Sequence, residues 1–99
     1  MIKLIASDLD GTLIGHDFRF RPRTLHALEA ARAAGIEIVF VTGRPSRWLT
    51  PLREQTDFDS YAICSNGAVV YHLGADEVEE VNGADPAVIA RTHELLEPI

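Results

Sequence analysis

The chain has 99 residues, 46% hydrophobic and 24% charged, with a formal net charge of −6. This length supports one domain, and the composition is that of an ordinary globular chain rather than a disordered or fibrous one. Because negative charge repels nucleic acid and anionic lipid, we expect no nucleic-acid partner and no membrane partner. The lone Cys64 cannot form an internal disulfide, and the apolar run before Asp8 is too short for a signal peptide. We therefore expect a cytoplasmic location.

Apolar runs alternate with helical patterns along residues 1–67, which is typical of an α/β fold with parallel strands and crossover helices. The first two runs are nearly continuous rather than alternating, so the first two strands are expected to be covered on both faces. Pro22 suits the first turn of a helix, and Gly35 suits the left-handed cap that ends it. The predicted elements are strands at 2–7, 36–41 and 61–64, a helix between Pro22 and Gly35, and a helical stretch at 45–55 broken at Pro51.

The pattern changes in residues 68–99. Two short β runs, 68–73 and 77–81, are separated by a Gly-Ala-Asp turn, which predicts an antiparallel hairpin. Asp85 then precedes a proline, as at the start of a helix, and the apolar residues after it fall on one helical face. We expect a single domain over residues 1–99, with a core at 1–67 and a hairpin and helix at 68–99.

Two acidic residues, Asp8 and Asp10, follow the first predicted strand, and Gly11 permits a tight turn after them. Paired carboxylates at a strand end can hold a hard divalent cation while one of them remains a nucleophile. A polar turn, in which both carboxylates accept backbone N–H bonds, is an equally good interpretation of this segment alone.

The other two predicted parallel strands also end in polar residues. Thr42, Gly43 and Arg44 follow the second strand and offer a hydroxyl and an amide to an anion, although a helix cap explains them too. Asn66 follows the third strand in an Asn-Gly pair, which by itself is more often a plain turn. Because carboxyl ends of parallel strands meet at one edge, where ligands bind in open α/β sheets, the three loops together indicate a site.

The chain resembles the haloacid dehalogenase superfamily, and within it the Cof-like branch of sugar-phosphate phosphatases. The resemblance covers about residues 2–71 and is carried by the order and spacing of five segments. These segments are Asp-Leu-Asp-Gly-Thr-Leu at 8–13, Pro-Arg-Thr at 22–24, Ala-Gly-Ile at 34–36, Val-Thr-Gly-Arg-Pro at 41–45 and Cys-Ser-Asn-Gly-Ala at 64–68. It implies part of a three-layer Rossmann-like core, followed by a hairpin and helix that lead toward a cap.

The same resemblance implies a reaction. Asp8 is expected to be the nucleophile that attacks phosphorus, and Asp10 the general acid and base. The metal ion is expected to be Mg²⁺, held by the Asp8 carboxylate and the Asp10 backbone carbonyl. The substrate is expected to be a small phosphorylated metabolite. Phosphomutase or phosphotransferase chemistry on the same aspartyl-phosphate remains an alternative.

The resemblance also implies where the phosphoryl group binds. Thr42 is expected to hydrogen-bond it, with a nearby amide from Gly43, and Asp8 is expected to contact the same group. Arg44 and Asn66 are expected close to the phosphate or the leaving group.

Two parts that complete the site in this family have no counterpart in these 99 residues. One is a lysine that supports the nucleophile; the only lysine here, Lys3, lies at the start of the first strand. The other is an acidic loop that completes the metal site. We therefore expect weak or absent activity from this polypeptide alone, and a non-catalytic module that self-associates or binds phosphate or metal is the rival hypothesis. Self-association is expected through the exposed edge of strand one.

Four other residue types have structural interpretations. Trp48 is expected to fill the helix–sheet layer rather than touch substrate, and Phe18 and Phe20 are expected to cap the core. His16 has no partner at ligand spacing, and Cys64 is expected to be a buried thiol without a base beside it.

Overall fold

A computed structural model describes all residues from 1 to 99, and it contains one five-stranded sheet and three α-helices. In chain order the elements are β1 (Leu4–Asp8), α1 (Pro22–Ala33), β2 (Glu37–Val41), a 3₁₀ turn (Ser46–Leu49), α2 (Thr50–Gln55), β3 (Tyr61–Cys64), β4 (Val69–His72), β5 (Glu77–Val81) and α3 (Pro86–Leu96). The elements predicted from sequence are all present, with ends displaced by at most two residues.

The strands lie in the order β1-β2-β3-β4-β5. β1 pairs with β2, and β2 with β3, in parallel, whereas β3–β4 and β4–β5 are antiparallel. The α/β class and its parallel strands are therefore confirmed, as is the antiparallel hairpin. The loops after β1, β2 and β3 leave the sheet at one common edge.

The helix boundaries follow from proline and glycine. Pro22 opens α1 in its first turn, and Gly35, at φ +83°, follows its last turn in the left-handed region that glycine adopts readily. The division expected at Pro51 falls between Leu49 and Thr50, and it is a change from 3₁₀ to α-helix rather than a gap. The 3₁₀ turn runs directly into α2, and Pro51 lies in the first turn of that helix, where no backbone donor is needed.

The core lies on one face of the sheet. Phe40 and Ile38 on β2 are almost fully buried there, as are Leu28 on α1 and Leu52 on α2. Because the parallel strands follow one another in one direction, right-handed crossovers place both helices on the same side. The core is therefore a helix layer against a single sheet face.

The opposite face of the sheet is open, so the expectation that the first two strands are covered on both faces is wrong for this chain. Leu4 is 53% exposed, Val41 37% and Tyr61 43%. The apolar runs predicted this face to be buried, and no element among residues 1–99 packs against it. β1 also forms one edge of the sheet, in agreement with the exposed edge of strand one expected from the sequence.

The last helix begins as predicted. The Asp85 carboxylate accepts a hydrogen bond from the Ala87 N–H at 2.7 Å and caps α3. The apolar face of α3 is exposed, with Ile89 at 57% and Leu95 at 59%. None of the helices is long and apolar enough to cross a membrane.

Candidate active site at the carboxyl edge of the parallel strands

Asp8 is the last residue of β1, and the chain turns tightly after it. The buried Leu9 anchors this turn, because its carbonyl accepts backbone N–H groups from Thr12 and from the two residues after it. Gly11 adopts φ +75°, which explains the glycine at this position. The Thr12 hydroxyl donates to Asp8 Oδ2 at 3.1 Å, so one carboxylate oxygen is oriented by the loop and the other accepts no side-chain bond.

Thr42 lies next to this turn. Asp8 is in register with Val41, so Thr42 is the first residue beyond the end of β2. The Thr42 side chain is buried, and its Oγ1 accepts the Arg44 N–H at 3.0 Å, which folds the loop back on itself. The Thr42 hydroxyl hydrogen and the Gly43 N–H donate no hydrogen bond within the chain. Two donors thus lie at the end of β2 without an acceptor in the chain, and groups of this kind bind anions.

The turn after β3 is joined to the same loop. The Asn66 N–H donates to the Thr42 carbonyl at 3.3 Å, and the Ser65 N–H donates to the Arg44 carbonyl at 3.0 Å. A side chain at position 43 would place its Cβ 3.0 Å from Asn66 Oδ1. Glycine fits at 43 without a shift, whereas a larger residue there would require the Asn66 side chain to move.

Arg44 crosses from the β2 loop to the β1 loop and binds Asp10. Its Nε and one terminal nitrogen each donate to a different carboxylate oxygen, both at 2.8 Å. This bidentate hydrogen bonding is the main reason that the pKa of Asp10 lies below its ordinary value; partial burial opposes it. The pKa of Arg44 is raised by the same pairing. Asp10 is ionised at neutral pH in this arrangement.

Two aromatic rings flank the Arg44 guanidinium. The Phe18 ring centroid lies 4.3 Å from Arg44 Cζ, and that of Trp48 lies 5.6 Å away. Trp48 is 51% exposed, so its predicted place in the helix–sheet layer is wrong. Phe20 is buried as predicted, whereas Phe18 is only partly buried and contacts both the core and Arg44.

A cavity of about 370 Å³ opens beside this ion pair. Asp10 and Arg44 line it together with Gly11, Gly15 and His16. Its size is within the range of small-molecule sites. His16 was not among the candidate site residues, because its spacing from other ligand types carries no signal. Its position in the loop that follows the two aspartates was the one available indication.

The structure thus brings the three predicted loops together. Backbone register joins Asp8 to the start of the Thr42 loop, an ion pair joins Asp10 to Arg44, and main-chain bonds join Asn66 to Thr42. The roles assigned to these residues from the resemblance remain predictions.

Residues 5–98 match the model of a family described as haloacid dehalogenase-like hydrolase. The chain therefore belongs to the haloacid dehalogenase-like hydrolase family, as its motifs and fold indicated.

Known members of the family agree with this assignment. Pyridoxal phosphate phosphatase YbhA of Escherichia coli is 37% identical over 95 residues, which cover 96% of this chain and 34% of YbhA. A haloacid dehalogenase-like hydrolase from B. subtilis superimposes with a TM-score of 0.84 at 30% identity, over 98% of this chain and 34% of that one. The subclass IIB sugar phosphatase BT4131 gives 0.67 at 33% identity, over 94% and 37%. The chain thus spans about a third of the length of these relatives.

Proposed function

We propose that this chain carries the nucleophile-bearing part of a Mg²⁺-dependent phosphatase that hydrolyses a small phosphorylated metabolite through an aspartyl-phosphate. The observation that supports this most is the pair of unused donors, the Thr42 hydroxyl and the Gly43 N–H, at the strand end next to Asp8. A phosphoryl group bound there lies beside a carboxylate nucleophile. Phosphoryl transfer depends on such positioning and charge stabilisation.

In the proposed first step, a carboxylate oxygen of Asp8 forms a bond to phosphorus while the bond from phosphorus to the leaving oxygen breaks. Asp10 gives a proton to that oxygen as the alcohol departs. In the second step, Asp10 takes a proton from a water molecule, and the water oxygen attacks phosphorus. The bond from phosphorus to Asp8 breaks, which releases inorganic phosphate and restores the carboxylate.

The pairing of Asp10 with Arg44 bears on this cycle. Asp10 is ionised while Arg44 holds both of its oxygens, which suits the base of the second step. To act as the acid, Asp10 must first lose one of these hydrogen bonds from Arg44. The freed carboxylate oxygen can then carry the proton that is given to the leaving group. Three guanidinium N–H groups of Arg44 donate no hydrogen bond within the chain. We propose that substrate oxygens accept hydrogen bonds from these N–H groups and so draw Arg44 away from Asp10.

The residues present fit a Mg²⁺ ion with two protein ligands. One Asp8 carboxylate oxygen and the Asp10 backbone carbonyl, which accepts no hydrogen bond, are the available oxygen donors. Mg²⁺ is commonly held by one or two carboxylates, with waters and substrate phosphate completing its shell. When bound, it supplies positive charge that offsets the charge on the phosphoryl oxygens.

The substrate class rests on charge, size and relatives. The −6 net charge disfavours a nucleic-acid substrate, and the cavity of about 370 Å³ beside the proposed acid and base, Asp10, has the volume of a small-molecule site. Two relatives are named for pyridoxal phosphate and sugar phosphates. We propose a phosphate monoester of this size, and of the sugar-phosphate class, as the substrate.

Hydrolysis of an aryl phosphate with and without Mg²⁺ tests the proposal. We expect slow turnover that requires Mg²⁺ and that falls to the uncatalysed rate in Asp8→Asn. Asp57→Asn is the matched control, because Asp57 is 97% exposed and lies outside the site. Equal rates for the wild-type chain and Asp8→Asn would reject Asp8 as the nucleophile.

One observation favours the rival, a module that binds phosphate without turnover. No group of three acidic, histidine or cysteine side chains in the chain could hold a metal ion. With two oxygen ligands, the metal site alone is weak. Under the rival hypothesis, inorganic phosphate binds to the Thr42 loop equally well in the wild-type chain and Asp10→Asn, and neither protein hydrolyses aryl phosphate.

We also propose that the chain self-associates through the edge of β1. That edge has no neighbouring strand, and the side chain of Leu4, the first residue of β1, is 53% exposed. Exposed edge strands pair readily with other chains. Sedimentation at high concentration is expected to show a dimer or larger species, and a purely monomeric mass would contradict the proposal.

A further inference from the structure

The loop between β1 and α1 forms a flap over the site, here defined as residues 11–21. It contains no helix or regular strand, and isolated bridges pair Ile14 with Phe20 and with Asp10. The flap side chains Phe18 and His16 face Arg44 and the cavity, respectively. The position of the flap therefore affects the side chains that surround the ion pair of Arg44 and Asp10.

Gln55, the last residue of α2, holds this flap in place. Its Oε1 accepts the Phe20 N–H at 2.9 Å, and its Nε2 donates to the Phe18 carbonyl at 2.9 Å. The same nitrogen donates to the Pro51 carbonyl within α2, also at 2.9 Å. One amide side chain thus binds the carbonyl of one flap residue and the N–H of the residue two positions later. A neighbouring β-strand would bind the same two backbone groups.

The conformation of Phe18 explains why such a support is needed. Phe18 adopts φ +57°, a left-handed conformation that is unfavourable for a residue with a large side chain. Strained backbone of this kind persists where the surrounding structure holds it. The two bonds from Gln55 act on the carbonyl of Phe18 and on the N–H two residues later, so they fix the backbone on the C-terminal side of that residue.

Phe18 in turn contacts Arg44. Its ring centroid lies 4.3 Å from Arg44 Cζ, and Arg44 donates two bonds of 2.8 Å to Asp10. A ring fixed against one side of the guanidinium limits how far Arg44 can move from the carboxylate. The contacts run without interruption from Gln55 through Phe18 to Arg44 and Asp10.

We propose that Gln55 is a positioning residue of the site, which holds Phe18 against Arg44 and so keeps Arg44 on Asp10. This inference rests on the proposed function for its catalytic meaning. Its physical content, the dependence of the Arg44–Asp10 pair on Gln55, is measurable without substrate, metal or turnover.

The test uses the full chain and the Nε–H group of Arg44. In ¹H–¹⁵N NMR spectra at pH 6, this group is expected to exchange slowly with water because Asp10 accepts it at 2.8 Å. Its signal is assigned by its loss in Arg44→Lys. Gln55→Met keeps the length of the side chain and removes both flap bonds. We expect exchange of the Arg44 Nε–H in Gln55→Met to be about tenfold faster.

Three further variants make the result specific. Thr56→Val is the matched control, since Thr56 follows Gln55, bonds only to the Leu52 carbonyl and does not bind the flap. Gln55→Glu keeps the acceptor for the Phe20 N–H and loses the donor to Phe18, so we expect it to resemble Gln55→Met. Phe18→Leu keeps both Gln55 bonds and removes the ring, and it is expected to accelerate exchange as well.

The inference is overturned if exchange in Gln55→Met equals exchange in Thr56→Val. If Gln55→Met fails to fold, Gln55→Glu and Phe18→Leu decide, and unchanged exchange in both has the same meaning. The two proposals can fail separately. If Asp8→Asn has no effect on hydrolysis while Gln55→Met still accelerates exchange of the Arg44 Nε–H, the proposed nucleophile is refuted and the positioning role of Gln55 stands.

Discussion

Removal of either partner of the Arg44–Asp10 ion pair should weaken the fold by an amount that depends on pH. The pair joins the loops after β1 and β2 through two hydrogen bonds of 2.8 Å. The perturbation is a double-mutant cycle of Arg44→Met, Asp10→Asn and the double variant. The cycle isolates the coupling between the two side chains from the contacts that each makes elsewhere, such as that of Arg44 with Phe18.

The magnitude follows from geometry and exposure. The side chains are 35% and 45% exposed, so water screens their charges, and ion pairs this exposed contribute at most about 1 kcal/mol. Bidentate pairing of an arginine with a carboxylate is at the favourable end of that range. We therefore expect a coupling free energy of about 1 kcal/mol at pH 7.

The sign of the pH dependence follows from the lowered pKa of Asp10. Arg44 lowers this pKa in the folded chain relative to the unfolded chain, so the folded state releases the proton more readily. The stabilisation is therefore complete above the ordinary aspartate pKa of 3.8 and is lost as the pH falls through the lowered folded value.

The assay is urea unfolding of the four proteins at pH 7 and at about pH 2, followed by far-ultraviolet circular dichroism. Coupling is expected at pH 7 and should be smaller at the acidic value, because protonation of Asp10 removes its charge. A coupling near zero at pH 7, or one of equal size at both pH values, would refute the reasoning.

Three further predictions concern the site loop and the core. Gly43→Ala places a Cβ 3.0 Å from Asn66 Oδ1 and should lower the free energy of unfolding by about 1 kcal/mol. Asn66→Ala in the same chain should relieve this loss, and equal losses with and without Asn66→Ala would contradict the contact. Phe40→Ala removes a fully buried ring and should lower the free energy of unfolding, measured with urea, by about 3–5 kcal/mol. Val39→Ala on the open face should lower it far less, and equal losses would contradict the one-sided core. Cys64 is fully buried, and this burial also raises the pKa of its thiol, so a thiol reagent should modify it only when the chain opens. Rapid modification of the native chain would contradict the burial.

Local sequence signals predicted most of the fold. Proline and glycine carry local information, so Pro22 and Gly35 marked the ends of α1 correctly. Apolar runs predicted the strands for a similar reason. Coverage of the second sheet face could not be predicted from those runs, because an apolar residue such as Leu4 has the same identity whether or not another element covers it.

The candidate site shows the same division. Asp8, Asp10 and Thr42 could be placed at one edge because parallel topology brings strand ends together. The contacts between side chains of different loops could not be predicted. Arg44 reaches Asp10 across 34 positions, and Gln55 reaches Phe18 across 37, and no local pattern encodes either contact.

The most direct test of the central claim, that Asp8 accepts the phosphoryl group, is ¹⁹F NMR of the chain with Mg²⁺ and beryllium fluoride. Beryllium trifluoride attaches to a carboxylate oxygen as a stable mimic of aspartyl-phosphate, so the measurement does not require turnover. We predict a bound fluorine resonance that requires Mg²⁺, is absent in Asp8→Asn and persists in Asp57→Asn. A bound resonance of undiminished intensity in Asp8→Asn, or none in the wild-type chain at saturating Mg²⁺, would contradict Asp8 as the nucleophile.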